Sequence, residues 1–375
     1  MQKWLLSSAH TIPFEVPAAE TDGVLPGKEK PPAGCVAERD RLNVAVTGPT
    51  GEIGKPLLSE LERRPEVGAV LGMARRPFDP AGEGWGKVSY RRGDILDRGA
   101  LAALFDGADV AVHLAFAIFG GREETRRVNL EGTRNVFEAA IKSGVSRFVY
   151  ASSVAAYGFH PENPQPLTED VPAWGSEEFY YSAQKAELED LLDELLPGSG
   201  VDAYVFRPCV VAGPRATMLI EQTVDAARVG DPLPLLRRGI ERLPLVKPLL
   251  PDPGMPLQLV HHDDVARAMA AAIEGAGRPG VYNLAGEGEI GVADIARELG
   301  WRSVPVPGPA VDAGAAVARR LTFASTRLEW ATALDTPVLM DTARARRELD
   351  WRPRHDALET LRETVAGARE SGLLD

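Results

Sequence analysis

Apolar residues along this chain alternate between two rhythms. Short β-branched runs are separated by longer stretches in which apolar positions recur every three or four residues. Leu42-Asn43-Val44-Ala45-Val46 reads as a buried strand, and Lys55 to Arg64 as a helix that Pro65 ends. The pattern then repeats. Strands are predicted at Val67 to Ala74, Val88 to Arg91, Asp109 to Leu114, Arg147 to Ala151 and Asp202 to Phe206. Helices are predicted at Arg98 to Phe105, at Arg122 to Ser143 as one long element, and at Phe179 to Leu196. Short connections between alternating strands and helices imply an α/β fold, a doubly wound parallel sheet with helices on both faces.

The texture changes after Gly213, where residues 213 to 257 are rich in Pro, Leu and Arg and lose regular alternation. A strand at Val281 to Leu284, a helix at Val292 to Leu299 and an amphipathic helix at Ala357 to Ala368 follow. The expected organisation is an irregular extension over residues 1–40, carrying Pro13, Pro17, Pro26, Pro31 and Pro32, then a dinucleotide-binding domain over 41–212. Residues 213–375 form a smaller C-terminal substrate lobe, with about 257–290 returning to the main sheet.

A length of 375 residues and a mass of 40.3 kDa accommodate that arrangement. The net charge of −12 argues against nucleic acid as a partner, because phosphate neutralisation needs surplus cations. Cys35 and Cys209 are too few for a disulfide framework or a cysteine-ligated structural zinc. No run approaches the roughly 18–20 apolar residues of a membrane span, and Ser7, Ser8 and His10 interrupt the apolar opening too early for a signal peptide. The expectation is a soluble, cytoplasmic protein acting on a small molecule, without a membrane partner.

Candidate chemistry begins between the first strand and helix, in Gly48-Pro49-Thr50-Gly51-Glu52-Ile53-Gly54. Gly48 permits a tight turn, Gly51 close approach of a pyrophosphate, and Gly54 close helix–strand packing, with the helix N-terminus presenting free N–H groups. Thr50, Glu52 and Ile53 complete the cofactor loop. A carboxylate at the end of the second strand would suit the ribose 2′-hydroxyl of NAD(H); this chain has Ala74 followed by Arg75 and Arg76, which suit a 2′-phosphate. NADP(H) is therefore favoured, with NAD(H) the alternative. Tyr181 and Lys185, four apart on a predicted helix, share one face, where an ammonium lowers a phenol's pKa and equips it for proton exchange. Ser152 and Ser153, just past the fifth strand, are placed to hydrogen-bond a reacting oxygen.

With Gly93-Asp94-Ile95, His113-Leu114-Ala115, Val128-Asn129-Leu130, Phe206-Arg207-Pro208 and His261-His262-Asp263-Asp264, these pieces resemble the extended short-chain dehydrogenase/reductase family, the NAD-dependent epimerase/dehydratase group. The likeness spans about residues 43 to 355 and implies a Rossmann-type fold. It implies Ser153 as the catalytic serine, Tyr181 as acid/base and Lys185 as the group holding the nicotinamide ribose. Asp94 and Ile95 would contact adenine. Leu114, Ala115, Asn129, Ala151, Pro208 and Val210 would complete the cofactor contacts. A homodimer is common in that family. The His261-His262 segment is structural there, and adjacent histidines on a strand point to opposite sides, so no metal site is expected.

Nucleotide-sugar members of the family place Asn near Val210 and Arg just ahead of the His261 segment, where this chain reads Gly254 to Leu259. The candidate pocket, Phe116, Ile118, Phe119, Val154 and Cys209 around Ser153, is apolar. The expected activity is NADP(H)-dependent interconversion of a ketone and a secondary alcohol on a small, largely apolar substrate. The alternatives are a nucleotide-sugar epimerase or dehydratase, with Arg237, Arg238 and Arg242 meeting the diphosphate, and a non-catalytic dinucleotide sensor.

Overall fold

The computed structural model describes residues 41–118, 122–229, 248–306 and 336–374. The segment 1–40, with Cys35, lies outside the described residues, as do Phe119, Arg237, Arg238 and Arg242.

Seven strands form one parallel sheet: β1 (Leu42–Thr47), β2 (Val67–Ala74), β3 (Val88–Arg92), β4 (Val110–His113), β5 (Arg147–Ala151), β6 (Asp202–Pro208) and β10 (Gly280–Leu284), in the order β10-β6-β5-β4-β1-β2-β3. The first crossover that reverses direction runs from β3 to β4, so the carboxyl ends of β1 and β4 diverge at the sheet's switch point. Strand residues alternate between two cores. Val44, Val46, Val112, Val149 and Phe206 meet helices α1 (Gly54–Arg63) and α7 (His262–Ile273) through Leu57, Leu61, Val265 and Met269. Ala45, Ala111, Phe148, Tyr150 and Val205 face α2 (Arg98–Phe105), α4 (Thr133–Ser143) and α5 (Tyr180–Leu195) through Leu104, Phe137 and Leu188. Burial on both faces is why these strands read as continuous apolar runs.

Local chemistry sets the element ends. Asp97 caps α2 by accepting the Gly99 and Ala100 N–H groups at 2.8 and 3.1 Å. Gly144, at φ 72°, ends α4 in the left-handed conformation that glycine adopts without strain.

The expected single helix over Arg122 to Ser143 is three pieces: α3 (Arg122–Arg126), a π-helical stretch (Arg127–Gly132) and α4. One wide turn keeps α4 against the sheet while turning Asn129 inward. There its side chain accepts the Ala117 N–H (2.8 Å) and donates to Ala117 O and Gln184 Oε1 (both 2.9 Å).

The later residues divide between lobe and sheet. Of the stretch 257–290, β10 joins the main sheet and α7 packs on its face, while β9 (Leu259–His261) pairs with β7 (Val210–Ala212) in a separate two-stranded sheet. A second small sheet pairs β8 (Leu249–Asp252) with β11 (Arg302–Pro305). Helices α6 (Met218–Val229), α8 (Val292–Leu299) and α10 (Ala357–Glu370) bring Ile220, Ile295, Leu361 and Val365 into the lobe's own core; α9 (Ala343–Glu348) lies against β10.

The two histidines expected to point apart are adjacent. β9 ends at His261 and α7 begins at His262, so the backbone turns between them and the ring centroids lie 4.3 Å apart; His355 stacks on His261 at 4.0 Å. His261 Nδ1 accepts the Asp263 N–H (3.2 Å) and His262 Nε2 the Arg215 N–H (3.3 Å). The buried Asp264 carboxylate meets His355 Nδ1 (3.1 Å) and the N–H groups of Arg354 and His355. The cluster is thus a joint between β9, α7 and the approach to α10.

Trp351 closes that joint, buried, with Nε1–H on Asp264 O at 2.8 Å. Trp351→Ala is expected to lower the unfolding free energy in urea by about 3–5 kcal/mol. Trp351→Phe, which loses the hydrogen bond and part of the ring volume, should cost roughly 1–3 kcal/mol.

Candidate active site

The glycine loop turns at the end of β1. A Cβ on Gly48 (φ 76°) would stand 2.6 Å from Ala115 N, and one on Gly54 would stand 2.4 Å from Gly48 O. Gly51 is the open member, with only Gly48 O, at 3.6 Å, near its hypothetical Cβ. The backbone is therefore packed tightly beneath the loop and accessible above it, which is the shape a pyrophosphate needs. The loop lies beside the end of β4, where Leu114 N–H donates to Thr47 O at 3.0 Å. His113 bridges Thr47 Oγ1 (2.6 Å) and Thr133 Oγ1 (2.9 Å) beneath it. Burial, reinforced by the charge of Lys185, draws His113 down to about 3.

Not every residue assigned to the cofactor loop faces the same way. The Glu52 carboxylate accepts the Met218 N–H at 3.3 Å, at the start of α6, and so ties the loop to the lobe. Burial lifts its pKa to about 7; the Met218 bond opposes that rise and Glu221 adds to it. Arg75 and Arg76 are exposed just beyond β2. Tyr90 Oη–H faces the carbonyls of Ala74 (3.0 Å) and Arg76 (2.8 Å), fixing the backbone that carries both arginines. Asp94 Oδ1 accepts the Leu96 N–H, and buried Ile95 packs against Gly132, where a Cβ would fall 2.6 Å from Ile95 Cδ1. Buried Pro208 ends β6, and half-buried Val210 opens β7 opposite Leu259.

Past Ala151 the two serines diverge. Ser152 Oγ–H donates to Glu189 of α5, whereas Ser153 caps the 3-10 turn Val154–Tyr157 and its hydroxyl bonds Tyr181. Tyr181, Lys185 and Glu189 follow at four-residue intervals on one buried face of α5. Lys185 Nζ donates to Ala151 O at 2.8 Å and stands 4.0 Å from the Phe116 ring centroid. Phe116 also meets Tyr181 edge-on at 5.4 Å. Phe179, Tyr180, Phe159 and Ile118 complete an apolar wall around Tyr181, and Tyr180 Oη–H bonds Ile118 O. Cys209 is buried and inert, its thiol pushed well up by burial.

Burial pushes Tyr181 up to about 12, with the Ser153 hydrogen bond opposing the rise. Burial also draws Lys185 down from 10.5 to about 7, against the pull of Glu189. The resting site therefore holds a neutral phenol beside an amine that titrates near neutrality.

Several site residues have no assignment from sequence: Glu189, Arg207 as its partner, Gln184, Tyr90, and the wall residues Phe159 and Phe179. For Glu189 a signal existed, since Tyr181-x3-Lys185-x3-Glu189 continues one helical spacing.

Residues 44–285 match the sequence profile of the NAD dependent epimerase/dehydratase family, and the chain belongs to it as an extended short-chain dehydrogenase/reductase-type enzyme. The uncharacterized protein y4nG of Sinorhizobium fredii is 26% identical over 330 residues, 85% of this chain and 76% of that one. The 3beta-hydroxysteroid-dehydrogenase/decarboxylase isoform 2 of Arabidopsis thaliana is 31% identical over 147 residues, 39% of this chain and 26% of that one. DesIV of Streptomyces venezuelae, a dTDP-glucose 4,6-dehydratase solved with NAD and TYD bound, aligns with a TM-score of 0.65 at 22% identity, covering 89% of this chain and 99% of that one. Such structural likenesses establish the shared fold. Among the described residues no helix is long and apolar enough to cross a membrane.

The Lys185 shift makes stability depend on pH. Between about 7 and about 10.5 the unfolded chain binds the proton and the folded chain does not, so unfolding becomes costlier as pH rises through that window. Lys185→Met should abolish this increment, leaving the wild-type minus variant difference in urea unfolding free energy growing from pH 7 to 10.

Proposed function

We propose that the protein is an NADP(H)-preferring oxidoreductase that interconverts a ketone and a secondary alcohol on a largely apolar substrate. The observation that carries this reading is the group of Ser153, Tyr181 and Lys185 walled by Phe116, Ile118, Phe159, Phe179 and Tyr180. A diphosphate seated against that wall would lose hydration without ionic compensation, whereas a hydrocarbon skeleton gains from burial. The partial likeness to the plant 3beta-hydroxysteroid-dehydrogenase/decarboxylase supports a hydrophobic secondary alcohol.

The glycine loop fits a dinucleotide pyrophosphate, and a bound nicotinamide dinucleotide would donate or accept the hydride. Ser153 Oγ–H orients the substrate oxygen. In reduction Tyr181 Oη–H gives that oxygen its proton; in oxidation the phenolate takes it back. Lys185, when charged, favours the phenolate and so lowers the cost of each transfer. The apolar wall excludes water from the proton's path.

Preference for the phosphorylated cofactor rests on the end of β2. Ala74 offers no carboxylate for a 2′-hydroxyl. Arg75 and Arg76 follow it, and Arg91 and Arg92 end the paired strand β3 at the same edge. Guanidiniums suit a 2′-phosphate better than a hydroxyl.

Two measurements test the reading. Tyr181→Phe should lower turnover of a responsive alcohol by roughly 10²–10⁴-fold while leaving dinucleotide affinity nearly unchanged. Unchanged turnover would refute the acid/base role. Replacing Arg75 and Arg76 by alanine should weaken NADP(H) by roughly 10–100-fold in calorimetry and alter NAD(H) far less. A wild-type thermal shift with a UDP-sugar and none with hydrophobic ketones would favour the epimerase reading instead.

A further inference from the structure

The catalytic face of α5 does not stop at Lys185. One turn further, the Glu189 carboxylate is buried and held by Arg207, whose Nε lies 3.1 Å from both carboxylate oxygens and whose Nη2 lies 2.5 Å from Oε2. Arg207 comes from the carboxyl end of β6, stacks 4.2 Å over the Tyr157 ring and donates Nη1–H to Val171 O at 3.1 Å. Ser152, the residue before Ser153, donates its hydroxyl to the same carboxylate. One acid therefore links β5, β6 and α5 directly behind the proposed acid–base site.

We propose that Glu189, clamped by Arg207 and Ser152, is a positioning residue that keeps the Lys185 ammonium charged and fixes the strand end bearing Ser153. The inference rests on the acid–base reading of Tyr181, Lys185 and Ser153, and it concerns how that site is held ready.

Lys185 faces Tyr181 and Glu189 on its own helix, Tyr150 on β5, neutral His113 on β4 and the Phe116 ring; Arg207 lies behind Glu189 on β6. Among these groups Glu189 is the anion, set between two cations. Burial works against the Arg207 guanidinium, yet Glu189 holds its pKa above the usual value. Without the carboxylate both cations would be buried without an anion to compensate them. Arginine does not give up its proton in a protein, so the lysine would. Removing Arg207 acts in the opposite sense, because it leaves the carboxylate's charge to Lys185.

The experiment reads Lys185 itself, without substrate. Protein labelled with ¹³C at lysine Cε is titrated by NMR, and the Lys185 resonance is identified by its loss in Lys185→Met. Glu189→Gln, similar in size, should move the Lys185 midpoint down by about one pH unit or more, and Arg207→Gln should move it up. An unmoved midpoint in a folded Glu189→Gln protein overturns the proposal. If that variant fails to fold, Arg207→Gln decides: an upward shift supports the proposal, and no shift or a downward one overturns it. The titration does not involve alcohol turnover. Opposite shifts without activity on any alcohol would leave this inference standing and the proposed reaction refuted; turnover with unmoved midpoints would do the reverse.

Discussion

The bond from Lys185 Nζ to Ala151 O fastens α5 to the end of β5, and the geometry of the site follows from it. With that spacing fixed, Tyr181 comes level with Ser153, and the Phe116 ring caps both the ammonium and the phenol. The cation is held by a carbonyl, an aromatic face and a carboxylate one turn away, in surroundings too dry to favour its charge. Burial therefore works against the charge, and Glu189 opposes that pull.

A second constraint acts at the glycine loop. An anion-binding turn rarely welcomes a carboxylate, and Glu52 is accommodated by accepting the Met218 N–H at the start of α6. Glu83 adds to this boundary, with its carboxylate 2.9 Å from Lys55 and 4.0 Å from Arg215. Lobe and cofactor loop therefore share charged contacts beside the place where phosphates would lie. The local balance of charge there differs from the acidic total of the chain.

Much of this was legible before any coordinates. The strands and helices of the main sheet announce themselves because both sheet faces are buried, so β2, β5 and α2 coincide with the apolar pattern residue for residue. The short lobe strands β7, β8, β9 and β11, of three or four residues, are too brief to establish a period among prolines. The histidine pair was misread because the alternation argument assumes a continuing strand, and β9 stops between the two residues. Glu189 was hidden by its company: Glu187, Asp190, Asp193 and Glu194 make the helix look solvated, and only the packing of β6 reveals which acid is inside.

The π-helical stretch at Arg127–Gly132 has a consequence for how this region can vary. An α-helix turns about 100° per residue, so one residue added to a regular helix would swing everything after it off the sheet. Here the wide turn absorbs that rotation, and Thr133, Val136 and Phe137 keep their places in the interior while Asn129 grips the Ala117 backbone. The stretch therefore carries one residue more than a regular helix of the same rise would. A single deletion there would restore a regular helix with α4 still in register on the sheet, so what the added residue supplies is the inward turn of Asn129 onto the Ala117 backbone.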